Sequence, residues 1–402
     1  MTTWSVVKDD SGEKQRRKLI PRIALLACLA PVVLSLGIAL SPGSPEEPAE
    51  PPFSEQARSA ALAETMGLRA AGEELAASAS GDAKPAVAQT VSLLTSQARA
   101  LLLPGQDDPA SLLPPGPATP STAPSAGQSA SASAGQSAAP LPSSAAALAT
   151  ELADSAAQRL ADAAVTDGGM ARLLSSVGTA QLLQASSLAA AAGSPAPAVP
   201  DPAAPQLSGA CPSAAASPSS SPADASGPSS SPDASGPSSS PADASTASAG
   251  ADGGAATLPG ALAAAVRTEL ETVYGYQVAL TRLNGEAAAL ASEQLARHEA
   301  LAAGAEALSR VHCAPVPPRE AGYTMEQDFL ASPAAGLGRL EASALPVYGD
   351  LVALSEGQTR QWAIAGLVGA ARRSALWGAG AGVLPGLAAD PAGFPELPTP
   401  SP

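Results

Sequence analysis

The strongest pattern along the chain is an uncharged apolar run from Ile23 to Leu40. At about eighteen residues it is near the shortest length that crosses the hydrocarbon core of a bilayer as a helix. Lysines and arginines precede the run and glutamates follow it. This asymmetry predicts a cytoplasmic tail at 1–18, a membrane segment at 19–40 and an extracytoplasmic remainder. Small residues at Gly37 and Ala39 also fit a cleavage site, so a retained anchor and a cleaved signal, which would give a secreted protein, both stay open.

Apolar residues recur at helical spacing in three later regions. Residues 53–103 and 143–193 each have the pattern of a helical hairpin, and Asp167 is a suitable N-cap for the last helix of the second hairpin. Residues 257–380 begin with Thr257 as a further N-cap and contain four helical segments. We place these segments at about 258–283, 286–311, 333–355 and 358–378, the number and length that form a four-helix bundle.

The stretches between these regions lack the apolar content that a folded core needs. Residues 104–142 are a low-complexity loop of Pro, Ser, Ala and Gln, and residues 381–402 are predicted to be a disordered tail. Residues 194–256 contain tandem copies of a SSSPADASGP-like repeat between 219 and 245. Such a sequence predicts an extended, disordered tether that separates the two helical regions.

Composition narrows the fold class and the possible partners. Aromatic residues make up only 2% of the chain, so its cores are built from Ala, Leu and Val, which favours an all-α protein. The formal net charge is -15, and no basic stripe exists beyond the N-terminus. Because a phosphate backbone requires clustered Lys and Arg, this charge argues against binding to nucleic acid.

Three cysteines bear on the redox environment. Cys28 lies inside the apolar run, whereas Cys211 and Cys313 lie on the predicted extracytoplasmic side, where disulfides persist. One Cys211–Cys313 disulfide is therefore possible. Two unpaired thiols are the alternative.

Several short motifs mark the C-terminal region between Leu262 and Trp377. They are LETVYGYQVALTRL at 270–283, RHEAL at 297–301, Leu340-Glu341 followed by Val347-Tyr348, and Ala370-Ala371-Arg372 leading to Trp377. With them the region resembles the ferritin-like domain of unknown function found in actinobacterial envelope proteins. The segment MARLLSSVGTAQLLQ at 170–184 is similar to sequence that precedes this domain in some members. The resemblance implies a ferritin-like four-helix bundle.

The resemblance also implies that Glu269 and Glu341 occupy the positions of the inward-facing acids of ferritin-like proteins. The spacing agrees, because both acids fall on the apolar stripes of their helices. Each is followed seven residues later by a tyrosine, Tyr276 and Tyr348. This shared spacing suggests that the two helix pairs are related by an internal pseudo-twofold axis.

Two buried carboxylates require positive partners, because an unpaired buried charge is strongly disfavoured. Arg297 on the second helical segment and Arg372 on the fourth are the candidates. We therefore expect a salt-bridged cluster of Glu269 and Glu341 with these arginines, in which the two tyrosines donate hydrogen bonds. The alternative is that both acids lie at the edge of the stripe and contact water.

A di-iron centre of the ferritin-like kind needs a Glu-x-x-His motif on two of the helices besides the inward acids. His298 has Leu295 where that acid would stand, and no Asp, Glu or His lies between Gly357 and Gly378. We therefore expect no metal and no other cofactor. His298 is interpreted as a packed or surface residue of its helix.

No catalytic constellation is recognisable, so the sequence does not predict an enzyme. It favours a membrane-tethered, non-enzymatic module that binds or organises envelope components, with the bilayer, an envelope protein or a second copy of the chain as partner. A metal-binding or redox protein of the ferritin-like type is the alternative.

Overall fold

The computed structural model describes residues 50–81, 83–102, 142–197 and 256–398. Within these ranges the regular structure is helical and contains no strand, so the predicted all-α class is confirmed for them. The helices are α1 (Phe53–Ser78), α2 (Ala83–Leu101), α3 (Ala145–Ala163), α4 (Gly168–Ala191), α5 (Leu258–Leu280), α6 (Gly285–Val311), α7 (Gln327–Ala331), α8 (Pro333–Leu354) and α9 (Gly357–Leu376).

Local capping chemistry sets the starts of two important helices. The Asp167 side chain accepts a hydrogen bond from the Met170 amide at 3.0 Å, and Thr257 accepts one from the Gly260 amide at 3.3 Å. These bonds satisfy amides that have no partner inside the helix. Both predicted N-caps are thereby confirmed.

No helix in the described parts of the chain is long and apolar enough to cross a membrane. The predicted membrane segment at 19–40 lies outside these parts, as do nearly all of the predicted loop at 104–142 and the repeats at 219–245. The described residues from Phe53 onward belong to one compact unit, and residues 50–52 belong to another. The predictions for the regions outside the described residues therefore stay predictions.

Within the unit that starts at Phe53, the two helical regions share one core, contrary to the separation expected from the tether. Helix α4 packs against α3 and also against α8 and α9 of the C-terminal bundle. Its Leu174 lies in the same buried cluster as Leu262 and Leu367. The physical reason is that α4 is buried on most of its faces, so a single hairpin cannot cover it.

The predicted disordered tail was also wrong for the part of it that is described, residues 381–398. Leu384 is buried, and the Arg99 side chain of α2 donates hydrogen bonds to the carbonyls of Phe394 and Pro395 at 2.8 and 2.9 Å. The Arg172 side chain of α4 donates to the Gly386 carbonyl at 2.8 Å. A Pro/Gly-rich segment has no helical pattern, but its carbonyls are open to such side-chain donors.

Candidate functional site

Helices α5 and α8 bring together two glutamates and two tyrosines in the middle of the C-terminal bundle. The Tyr276 hydroxyl on α5 donates a hydrogen bond to Oε1 of Glu341 on α8 at 2.7 Å. The Tyr348 hydroxyl on α8 donates in turn to Oε1 of Glu269 on α5 at 2.5 Å. Each helix thus supplies the donor for the acid of the other, in the reciprocal pattern that the shared spacing suggested.

His298 on α6 joins the two carboxylates. Its Nδ1 lies 2.7 Å from Oε2 of Glu269, and its Nε2 lies 2.7 Å from Oε1 of Glu341. The side chains of all three residues are at most 1% exposed, so no water replaces these contacts. Because both ring nitrogens face carboxylate oxygens, the arrangement that satisfies both carboxylates has a proton on each nitrogen, which makes the ring an imidazolium.

Two residues at the end of α9 complete the arrangement. The Arg373 Nε donates to Oε2 of Glu341 at 2.9 Å, and the Trp377 indole donates to the Tyr276 hydroxyl at 2.8 Å. We call Glu269, Tyr276, His298, Glu341, Tyr348 and Arg373 the buried cluster. Two carboxylates, one imidazolium and one guanidinium give it a formal charge of zero.

Small residues give the cluster its close packing. A Cβ atom at Gly366 of α9 would lie only 2.0 Å from the ring of Tyr348, so this glycine lets the tyrosine lie flat against α9. On the other side, the ring of Tyr276 stacks on His298 with 5.0 Å between centroids. The hydroxyls are thereby directed at the acids by packing as well as by hydrogen bonding.

The electrostatics favour this set of charges. Burial lowers the pKa of His298, but its hydrogen bonds to Glu269 and Glu341 and their negative charges outweigh that effect and raise the pKa above its usual value. Burial raises the pKa of Glu341, but the His298 hydrogen bond and the Arg373 charge bring it below its usual value. Burial and the neighbouring carboxylates raise the pKa of both Tyr276 and Tyr348, so the phenols stay neutral.

The comparison with protein families supports the sequence resemblance at a coarser level. Residues 261–389 match the domain of unknown function DUF4439. This is a domain of the ferritin-like type, and the match spans about a third of the chain. Searches among curated proteins and among solved structures give no match.

The DUF4439 match contains the whole buried cluster, but not with the cations expected from the sequence. Glu269, Tyr276, Glu341 and Tyr348 do meet in one place. Arg297 instead forms a solvent-exposed pair with Glu293 on its own helix, and its side chain is 54% exposed. The prediction for Arg297 is therefore wrong.

The prediction for Arg372 is wrong for the same reason, since its side chain points to solvent. In both helices the cation that reaches the acids is the next residue along the chain, His298 after Arg297 and Arg373 after Arg372. One residue rotates the side-chain direction by about 100° around a helix, which separates an inward position from an outward one.

A sequence signal for His298 exists but is weak. The residue lies seven positions from both Ala291 and Ala305, which are buried on the same stripe of α6. Alanine also occupies the exposed faces of this helix. The sequence therefore does not distinguish the buried face of α6 from its exposed faces. For Arg373 the signal is absent, because α9 is buried nearly all round.

The buried cluster does not fit the di-metal centre known from ferritin-like proteins. Both ring nitrogens of His298 hydrogen-bond the two acids, whereas a histidine that binds a metal needs one nitrogen free as a ligand. Arg373 and the imidazolium already neutralise the carboxylates that would hold a metal. In the described part of the chain, no group of three His, Cys, Asp or Glu residues is placed to hold a metal ion.

Cys313 lies just after α6, in the connection to the second helix pair of the DUF4439 match. It is disulfide-bonded and has a left-handed backbone conformation with φ of 55°. The other cysteines, Cys28 and Cys211, lie outside the described residues. The Cys211–Cys313 pairing therefore stays a prediction.

Proposed function

We propose that this chain is a membrane-anchored, extracytoplasmic protein of the kind found in actinobacterial envelopes. Its helical unit binds or organises other envelope components and does not catalyse a reaction. The observation that carries the proposal is the closed and neutral state of the buried cluster. A catalytic or redox centre of the ferritin-like type needs open ligand positions and access for a substrate. Here the acids are at most 1% exposed, and their charges are balanced by His298 and Arg373.

Two features support the extracytoplasmic location. The apolar run at 23–40 has positive charge before it and negative charge after it, the asymmetry of a helix whose C-terminal side leaves the cytoplasm. The disulfide at Cys313 agrees with an oxidising compartment, since such bonds are rare in the cytosol. The partners under this proposal are the bilayer, through residues 19–40, and an envelope protein or a second copy of the chain.

We expect the full chain, with an epitope tag after Pro402, to stay with the membrane fraction of a bacterial host after washing at high pH. Protease added to intact spheroplasts is expected to remove the tag, because the C-terminal part faces outward. A tagged cytosolic protein in the same cells is the control for lysis. A tag that stays protected until the cells are lysed would contradict the proposed orientation, whereas release of the tagged chain into the medium would indicate a cleaved signal.

We also expect the purified full chain, after incubation with Fe²⁺ or Mn²⁺ and desalting, to hold well below one metal ion per chain. The reason is that a metal would have to displace the protons of His298 and the guanidinium of Arg373 from the acids. Elemental analysis measures the ratio, and an R373A variant shows whether removal of the guanidinium opens the site. A stoichiometric metal in the unaltered chain would overturn the non-enzymatic proposal in favour of metal binding or redox chemistry.

A further inference from the structure

His298 is buried between Glu269 and Glu341, contacts both acids directly and belongs to neither helix that carries them. The acids lie on α5 and α8, and the imidazole reaches both from α6. The bonds of His298 therefore connect the first helix pair, α5 and α6, with α8 of the second pair. The only other histidine of the chain is His312, which follows the last residue of α6. Its side chain hydrogen-bonds Thr359 of α9 and does not contact the acids.

We propose that the proton on His298 is a pH-dependent cross-link between the two helix pairs of the bundle, which holds the pairs together while the imidazole is charged and loosens them when the proton is lost as the pH rises. The cross-link is independent of the binding function proposed above. It would make the stability of the helical unit depend on the pH around it.

The geometry shows why losing the His298 proton loosens the contact between the helix pairs. A neutral imidazole keeps one N–H and turns a lone pair toward the other neighbour. At His298 that neighbour is a carboxylate oxygen 2.7 Å away, whichever nitrogen gives up the proton. Deprotonation therefore replaces a charged hydrogen bond with a repulsive contact, and it leaves the buried cluster with a net negative charge away from water.

Five other charged or titratable groups surround His298. They are Glu269 and Tyr276 on α5, Glu341 and Tyr348 on α8, and Arg373 on α9. Both tyrosines have a raised pKa, and the pKa of Arg373 is raised by the acids although its burial acts to lower it. His298 is thus the group in the cluster that loses its charge first as the pH rises.

The direction of the effect follows from linkage between protonation and folding. The pKa of His298 is raised in the folded state above its unfolded value of about 6.5, so its contribution is complete below that pH and is lost as the pH rises through the folded pKa. The contribution of Glu341 to stability has the opposite pH dependence, because its lowered pKa means that this contribution is lost in acid. The bundle should therefore be most stable between these two limits.

The test uses the full chain labelled with ¹⁵N only in histidine, purified in detergent. Long-range ¹H–¹⁵N spectra then contain the signals of two histidines, and the H312N variant assigns them. We expect both nitrogens of His298 to stay protonated at pH 6.5, the pKa of an unperturbed histidine. Between about pH 6.5, the pKa of an unfolded histidine, and the pH at which folded His298 loses its proton, hydrogen exchange of α5 and α8 amides, corrected for intrinsic rates, should rise by about tenfold for each pH unit and then level off.

Two outcomes would overturn the proposal. His298 could already be neutral at about pH 6.5, or it could lose its proton without any rise in the corrected exchange rates. An H298N variant is expected to lack the pH-dependent rise in corrected exchange rates that H312N retains. If H298N does not fold, the unaltered chain and H312N still decide the question, because the signals and the exchange rates are measured in those two proteins.

Discussion

Replacing Glu341 with glutamine is expected to lower the free energy of unfolding of the full chain by about 3–5 kcal/mol, the usual loss when one partner of a buried ion pair is removed. Glu341 accepts hydrogen bonds from Tyr276, His298 and Arg373, and its side chain is fully buried. The amide keeps the shape but removes the negative charge. The cluster is then left with two cations opposite a single carboxylate.

Chemical denaturation followed by the helical circular dichroism signal measures this loss. The matched control is E299Q, the same change at a solvent-exposed position next to His298, which should alter stability by less than about 0.5 kcal/mol. E269Q should fall between the two, because Glu269 accepts from Tyr348 and His298 but makes no hydrogen bond with Arg373. Equal stability of E341Q and E299Q would show that the buried cluster does not stabilise the fold.

Removing the N-terminal helices is expected to abolish cooperative folding of the C-terminal bundle. Leu182 of α4 packs with Val368 of α9, and the Arg360 guanidinium donates to the Thr166 carbonyl in the turn before α4. A chain that begins at residue 256 would expose the apolar face of α9 that α4 covers and would remove the Thr166 carbonyl that accepts from Arg360. We expect it to aggregate, or to retain helix without a cooperative thermal transition.

Two controls separate lost packing from other effects. Deleting the repeats at 219–245 keeps both helical regions and Cys211, so the thermal transition should stay at the same temperature. A full chain with C313S shows how much of any change comes from losing the disulfide. Cooperative unfolding of the chain from residue 256, near the midpoint of the full chain, would show instead that the bundle is an independent domain.

The helices themselves were largely predictable from the sequence. Asp167 and Thr257 cap the helices that they were expected to cap, and the turn at Asn284-Gly285 separates α5 from α6, with Gly285 at a φ of 55°. These signals act over a few residues and need no tertiary contact. The predicted bounds of the four bundle helices differ from the observed bounds by at most about three residues, the usual uncertainty of helix ends.

The roles of α4 and of the C-terminal segment were not predictable in this way. Nothing local distinguishes a helix that closes a hairpin from one that also covers a second bundle. In α4 small and apolar residues lie on all sides of the helix. The pattern therefore predicts that α4 is buried but does not predict which helices pack against it. The Pro/Gly-rich segment at 381–398 is held by Arg99 and Arg172, residues far away in the sequence.

The amino-acid sequence by itself determined the helical class, the positions of the helices and the pair of acids at matching places on two of them, because capping, turns and seven-residue spacing are short-range properties. The tertiary structure alone decided which cations neutralise those acids. The choice between Arg297 and His298, or between Arg372 and Arg373, depends on the rotation of each helix about its axis. In alanine-rich helices the faces are too similar in sequence to determine that rotation. It is determined only when the helices pack against one another.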